Sequence, residues 1–272
     1  MEKIEKLFSY KFLNILVVLF VGFALWRLAL DLITFENHDL KIQVWAASYQ
    51  FIAWVGAIAG LYLSRYWGGY KSIMGRAAIA FSLGLLMQSF GQSVFSYYFY
   101  HGIELPYPSL ADVGFFGSIP FYIYGMVLLA KSSGAHVKSL GNKLLALGLP
   151  LALLVYSYSE FLKGYDFSAV PNLQIFLDFG YPLGQAIYIS IAILAYILSR
   201  NTLGGMMRSV ILFFIGALVM QYVSDYTFLH QSMNGTFIGG GSVDCLYFAS
   251  YFLMALSLTK LGMVFEKLRS TT

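Results

Sequence analysis

Charge is what this chain most lacks. Asp, Glu, Lys and Arg make up 11% of its 272 residues, against 59% hydrophobic ones and a mean hydropathy of +0.71. A soluble globular domain carries about a quarter charged residues, so the shortage excludes that class and makes a lipid bilayer the expected solvent. Cysteine is nearly absent: the single Cys245 excludes an intramolecular disulfide and leaves the redox compartment open. No Lys lies mid-way along an apolar run, which removes the attachment point for a retinal Schiff base, and no intramembrane His pair offers a cytochrome-b-like haem site. Neither H-E-x-x-H nor G-x-S-x-G occurs. Without a nucleophile–base pair or a cofactor motif, the expectation is a non-enzymatic protein with no cofactor.

Long polar segments are missing as well, so an appended soluble module for catalysis or nucleic-acid binding is not expected. The net charge of +4 is strung along one side of the apolar runs rather than gathered into a patch, and gives no reason to expect nucleic acid. The N-terminus has the basic start of a signal peptide. Its apolar run from about Phe12 is too long for an h-region, and no A-x-A site follows, so a retained first span is expected.

What the chain has in abundance is apolar runs near the 20 or so residues that a membrane-crossing helix needs (about 20). Eight qualify, at 12–34, 42–64, 75–98, 110–131, 143–162, 175–199, 209–229 and 243–264. The termini, the segments after even-numbered runs and the run ends that adjoin them hold all of the 17 basic residues except Arg27, Lys41 and Lys163. The positive-inside rule then puts both termini in the cytoplasm. The expected fold is an all-α integral membrane protein, a single domain over 1–272. It has eight spans paired as four parallel hairpins (12–64, 75–131, 143–199 and 209–264), in the cytoplasmic membrane of a prokaryote.

A period underlies the hairpins. Asp112, Asp178 and Asp244 open three of the returning runs at equal spacing (178 − 112 = 244 − 178 = 66), each with a ring three positions on: Phe115, Tyr181 and Tyr247. One step earlier Ala46 replaces the acid, while Tyr49 keeps the ring. A recurrent period marks a repeated structural unit. The outgoing runs carry a second polar row in Trp26-Arg27-x3-Asp31, Gln88-x3-Gln92, Tyr156-x3-Glu160 and Gln221-x3-Asp225, a spacing that sets both side chains on one helical face. The steps from Lys143 to Glu160 and from Arg208 to Asp225 are equal, and each rises about 25 Å along a helix. The second row therefore falls in the outer quarter of a core about 30 Å thick.

Two readings of these acids compete. Ser109-x-x-Asp112 has the form of a capping box, and Ser242 with Asp244 could cap the last helix. Asp178 lies six residues past Asn172, too deep for simple capping. Alternatively, ionisable groups within spans line a site. That site would hold Asp112, Asp178, Asp244, Glu160, Asp225, Asp31 and Gln92, with Phe115, Tyr181 and Tyr247 as ring contacts. Arg27, the one basic residue inside a run, needs a carboxylate from Asp31, Asp244 or Asp112. His38, His101 and His230 share one side but have no ligand spacing such as H-x3-H, so no metal site is assigned.

Pro108-Ser-Leu-Ala-Asp112, followed by Phe115-Phe116 and Pro120-Phe-Tyr, resembles the multi-helix membrane sensory region found N-terminal to bacterial GGDEF and EAL signalling domains. The resemblance covers Pro106 to Gly125. It implies a sensory or ligand-binding unit, here ending at Thr272 without an output domain, so that a membrane or cytoplasmic protein partner would carry the signal. The leading expectation is a sensory module with an outward-facing, acid- and aromatic-lined pocket for a small ligand or cation. A cation- or proton-coupled transporter or channel, and a scaffold subunit of a membrane complex, are the alternatives.

Overall fold

The computed structural model describes residues 2–33, 35–103, 106–132, 140–163, 165, 167–168, 170–199 and 206–269. Lys138 and Arg200, two of the basic residues counted above, lie outside them. The elements are α1 (Glu2–Leu32), α2 (His38–Ser48), α3 (Phe51–Ser64), α4 (Ile73–Tyr100), α5 (Leu110–Ser132), α6 (Leu140–Ser157), α7 (Asn172–Ser199), α8 (Met206–Met233) and α9 (Ser242–Arg269). No strand occurs among the described residues. Seven helices are long and apolar enough to cross a membrane, with α2 and α3 counted as one. The eighth predicted run is α6, a shorter helix continued by a π-helical turn over Tyr158–Leu162.

Local chemistry accounts for the helix ends. Ser72 caps α4 by accepting the Gly75 N–H at 2.8 Å. At α5 the predicted capping box forms: the Ala111 N–H reaches Ser109 Oγ, and the Asp112 carboxylate accepts the Ser109 N–H at 2.7 Å. At α9 the expected roles differ. Asp244, not Ser242, satisfies the entry by accepting the Gly240 N–H at 2.6 Å. The run predicted over 42–64 starts earlier, at His38, and is interrupted at Tyr49–Gln50. There the Ser48 hydroxyl and the Gln50 amide donate to the carbonyls of Val44 and Ala47, the local competition that weakens a helix interior.

Helices α3, α4, α5, α7, α8 and α9 each touch the next, and α9 returns to α3. Rings fill the middle of this circuit. Phe81 of α4 stacks on Phe214 of α8, and Tyr122, Tyr188 and Tyr251 are buried around them. Lipid is as apolar as a core, so close contact between helices rests on small residues and packing. The α4–α5 crossing is a tight case: a Cβ on Gly114 would lie 2.4 Å from the Gly91 nitrogen. Two helices stand outside the circuit. α1 lies on the seam between α9 and α3, and α6 lies against α7.

Candidate functional site

One end of the bundle gathers the helix starts that carry the recurring acids. Asp244 of α9 accepts the Tyr49 hydroxyl at 2.8 Å in addition to the Gly240 N–H. Asp112 of α5 accepts the Tyr181 hydroxyl of α7 at 2.9 Å in addition to the Ser109 N–H. The two tyrosines and the two acids share one offset in sequence (181 − 49 = 244 − 112 = 132). The two contacts therefore join corresponding positions of the chain's halves. Each acid takes its hydroxyl from a helix that is not its hairpin partner in the sequence reading.

Asp178 differs from both. It is half-buried, and its two oxygens accept the hydroxyls of Tyr107 and Tyr165 at 2.6 Å each, from the segments before α5 and before α7. Burial, then the hydrogen bond to Asp178, pushes the Tyr107 phenol up, and the same causes push Tyr165 up to about 12. The rings of Tyr165, Phe167 and Phe179 pack beside it with centroids 5.2 to 5.7 Å apart. Among the described residues no Lys or Arg pairs with Asp178 or Asp112. Position 46, the counterpart of 178 at the same offset, is Ala.

Arg27 takes Asp31 as its carboxylate, the first of the three expected partners. Its Nε donates to the Gly240 carbonyl at 3.1 Å, and its guanidinium lies 5.5 Å from the Trp45 ring centroid. The cation is thus fixed beside the Asp244 site. It has no counterpart beside Asp112, because the same offset leads from Arg27 to Ser159.

Asp225 does not join the acids at the helix starts. It accepts from Gln185 of α7, Gln221 of its own helix and Tyr247 of α9 at 2.5, 3.1 and 2.7 Å. Tyr247, expected as a ligand contact, is thus a hydroxyl donor to an acid, as is Tyr181. Gln221 in turn accepts from Ser250 at 3.0 Å, and Gln88 donates to Ser118 at 2.7 Å. Gln92 is buried and lines, with Gln43, Ala46 and Asp244, a cavity of about 10 Å3, roughly the room of one water. Phe115 lies against Gly91 at the α4–α5 crossing. Glu160 and Asp31 are exposed, Glu160 on the turn that follows the peripheral α6. Among the described residues no three His, Cys, Asp or Glu side chains are grouped to hold a metal ion.

Tyr107, Tyr165, Gln185, Ser118 and Ser250 were not singled out from the sequence. Ser118 and Ser250 carried a usable signal, since they too stand at the offset of 132, three positions after Phe115 and Tyr247. Tyr107 and Tyr165 carried none, because they lie in irregular segments with no period. The described residues form an all-helical bundle with seven helices long and apolar enough to cross a membrane, which fits a multi-pass membrane protein. Comparison with known protein families, with curated proteins and with solved structures finds no match to this chain.

Proposed function

We propose that the chain is a non-enzymatic sensory or ligand-binding module of a prokaryotic cytoplasmic membrane. It is built from hairpin repeats, keeps both termini inside and presents the Asp112–Asp178 end outward to a cationic group. The observation that carries this reading is Asp178 itself. A half-buried carboxylate is held by two phenols from two separate segments, beside the Tyr165–Phe167–Phe179 rings, with no basic partner among the described residues. Aromatic faces and a carboxylate are together the recognition chemistry of an organic cation. The resemblance of Pro106–Gly125 to bacterial sensory regions agrees with it.

Thermal unfolding tests this directly. A ligand bound only by the folded state raises the midpoint by mass action. Sodium, ammonium, tetramethylammonium and arginine methyl ester are titrated onto wild type and Asp178→Asn. An organic cation is expected to raise the wild-type midpoint and leave the variant unmoved. Equal shifts in both proteins, or none in either, overturn the reading.

A second reading, a cation- or proton-coupled carrier, draws on Asp225. Its amide and hydroxyl partners span three helices inside the bundle, the setting in which membrane proteins place pathway carboxylates. Uptake of labelled sodium or of protons by proteoliposomes, abolished in Asp225→Asn, would favour the carrier over the sensor.

A further inference from the structure

The seam between α9 and α3 shows how this bundle accepts a peripheral helix. Phe20 of α1 stacks on Phe248 and Phe252 of α9 with centroids 4.7 and 4.0 Å apart, and the Trp45 indole donates to the Phe23 carbonyl at 2.9 Å. The helix is tied at both ends: the Ser9 hydroxyl donates to Glu266 at 2.6 Å, and Arg27 donates to the Gly240 carbonyl. An apolar run thus brings one cation to the level of Asp244.

The offset of 132 carries this footprint to the seam between α5 and α7. Cys245, Phe248 and Phe252 become Val113, Phe116 and Pro120, and Trp45 becomes Leu177. Those two helices pack against each other. The helix corresponding to α1, however, does not lie on their seam. α6 packs on α7, and its Ser157 and Tyr156 meet Tyr226 of α8. Part of the mapped footprint stays uncovered on α5: Val113 is 57% exposed and Pro120 is exposed, where their counterparts Cys245 and Phe252 are partly covered by α1. At the head of the α5–α7 seam stand Asp112 and Asp178, where the other seam has Asp244 and Ala46.

We infer that the α5–α7 seam is the docking groove for a transmembrane helix of a partner protein, apolar along its length, with one Arg or Lys near the end that meets Asp112 and Asp178. The inference rests on the cation-binding reading above and names the molecule that presents the cation. Charge complementarity selects this occupant. An apolar helix alone gains little over lipid, whereas a basic side chain within the membrane needs a carboxylate. These two acids have no basic partner among the described residues. The counterpart seam already holds an apolar helix with one cation at the level of Asp244: Arg27, six residues before Ile33, which pairs with Asp31 of its own helix.

The test uses a synthetic Leu-Ala transmembrane peptide with one Arg six residues from its outward end, and the same peptide with Gln there. The full chain, carrying Cys245→Ser and a fluorophore at Pro120→Cys, the counterpart of the Phe252 that touches α1, is placed in phosphatidylglycerol vesicles, whose head groups bring no cation. The Arg peptide, bearing a quencher, is expected to quench at a peptide-to-lipid ratio about tenfold lower than the Gln peptide, the equivalent of about 1.4 kcal/mol. Asp112→Asn with Asp178→Asn should erase that difference. Val113→Trp, which fills the seam and keeps both acids, should weaken quenching while stabilisation by tetramethylammonium persists.

Equal quenching by the two peptides, or quenching indifferent to the acids, overturns the inference. So does self-quenching without peptide, the mark of a second copy on the seam. If tetramethylammonium stabilises wild type but the Arg peptide fails to dock, the cation site stands and the groove falls. If neither acts, both fall.

Discussion

Phe81 of α4 and Phe214 of α8 lie nearly face to face at the centre of the bundle, their centroids 4.0 Å apart and their planes at 23°. Their positions differ by one more than the repeat offset (214 − 81 = 133), and they come from corresponding helices of the two halves of the chain. Such a contact is worth about 0.5–1.5 kcal/mol beyond the area it buries. A double-mutant cycle with Phe81→Leu and Phe214→Leu, read from unfolding in detergent, should give a coupling of that size. Additive effects would mean that the rings fill space without recognising each other.

The Tyr–Asp contacts differ in how much each acid depends on its phenol. Tyr49 is fully buried, and Asp244 keeps only the Gly240 N–H when that hydroxyl is removed. Asp112, half-buried, keeps both the N–H and the hydroxyl of Ser109 when Tyr181 loses its own. Tyr49→Phe should therefore cost about 1.5–3 kcal/mol, the range for hydrogen bonds to a charged group. Tyr181→Phe should cost about 0.5–1.5 kcal/mol. The order of the two melting midpoints checks the argument; the reverse order would refute it.

Glycine substitutions separate contact from sequence. At Gly114 an added methyl would meet the Gly91 nitrogen at 2.4 Å and the Met87 carbonyl at 2.5 Å, both backbone atoms that cannot step aside. Gly114→Ala should push α4 and α5 apart and cost about 1–3 kcal/mol. Gly22, on α1, has nothing within 4 Å of the same added atom. Gly22→Ala should be neutral, or stabilising by about 0.5–1 kcal/mol through helix propensity. Thermal unfolding of the two variants side by side decides it.

The sequence made some of this legible and hid the rest for physical reasons. Apolar runs announce helices because the bilayer demands a continuous apolar surface, and seven such helices are present. The spacing that singled out Asp112, Tyr181, Asp244 and Tyr49 picked residues that do touch. Their partners were hidden, because a period along the chain does not say which helices become neighbours. Counting rise per residue put Asp225 in the outer quarter of the core, and its partners Gln185 and Tyr247 lie about one turn further along their helices than Tyr181 and Asp244; the count did not say that it stands apart from the acids at the helix starts. Glu160 shares the sequence pattern of that row but sits exposed beside a peripheral helix, and only packing could reveal that.

The phenols around Asp178 set an alkaline limit. Burial, and then the hydrogen bond to Asp178, hold Tyr165 up at about 12 and raise Tyr107 as well, against about 10 for an unperturbed tyrosine. The folded state thus keeps protons that the unfolded chain releases first. The resulting stabilisation is present in full below pH ~10 and is lost as the pH rises towards ~12. Asp178→Asn removes the neighbouring charge and the strong acceptor, so both phenols should ionise nearer their ordinary value. Phenolate absorbance between about pH 10 and 12 should be higher in the folded variant than in folded wild type. The variant's melting midpoint should also fall less steeply over that interval, because burial alone then separates proton release in its folded and unfolded states. Superimposable absorbance curves would show that burial alone holds these hydroxyls up and that Asp178 does not govern them.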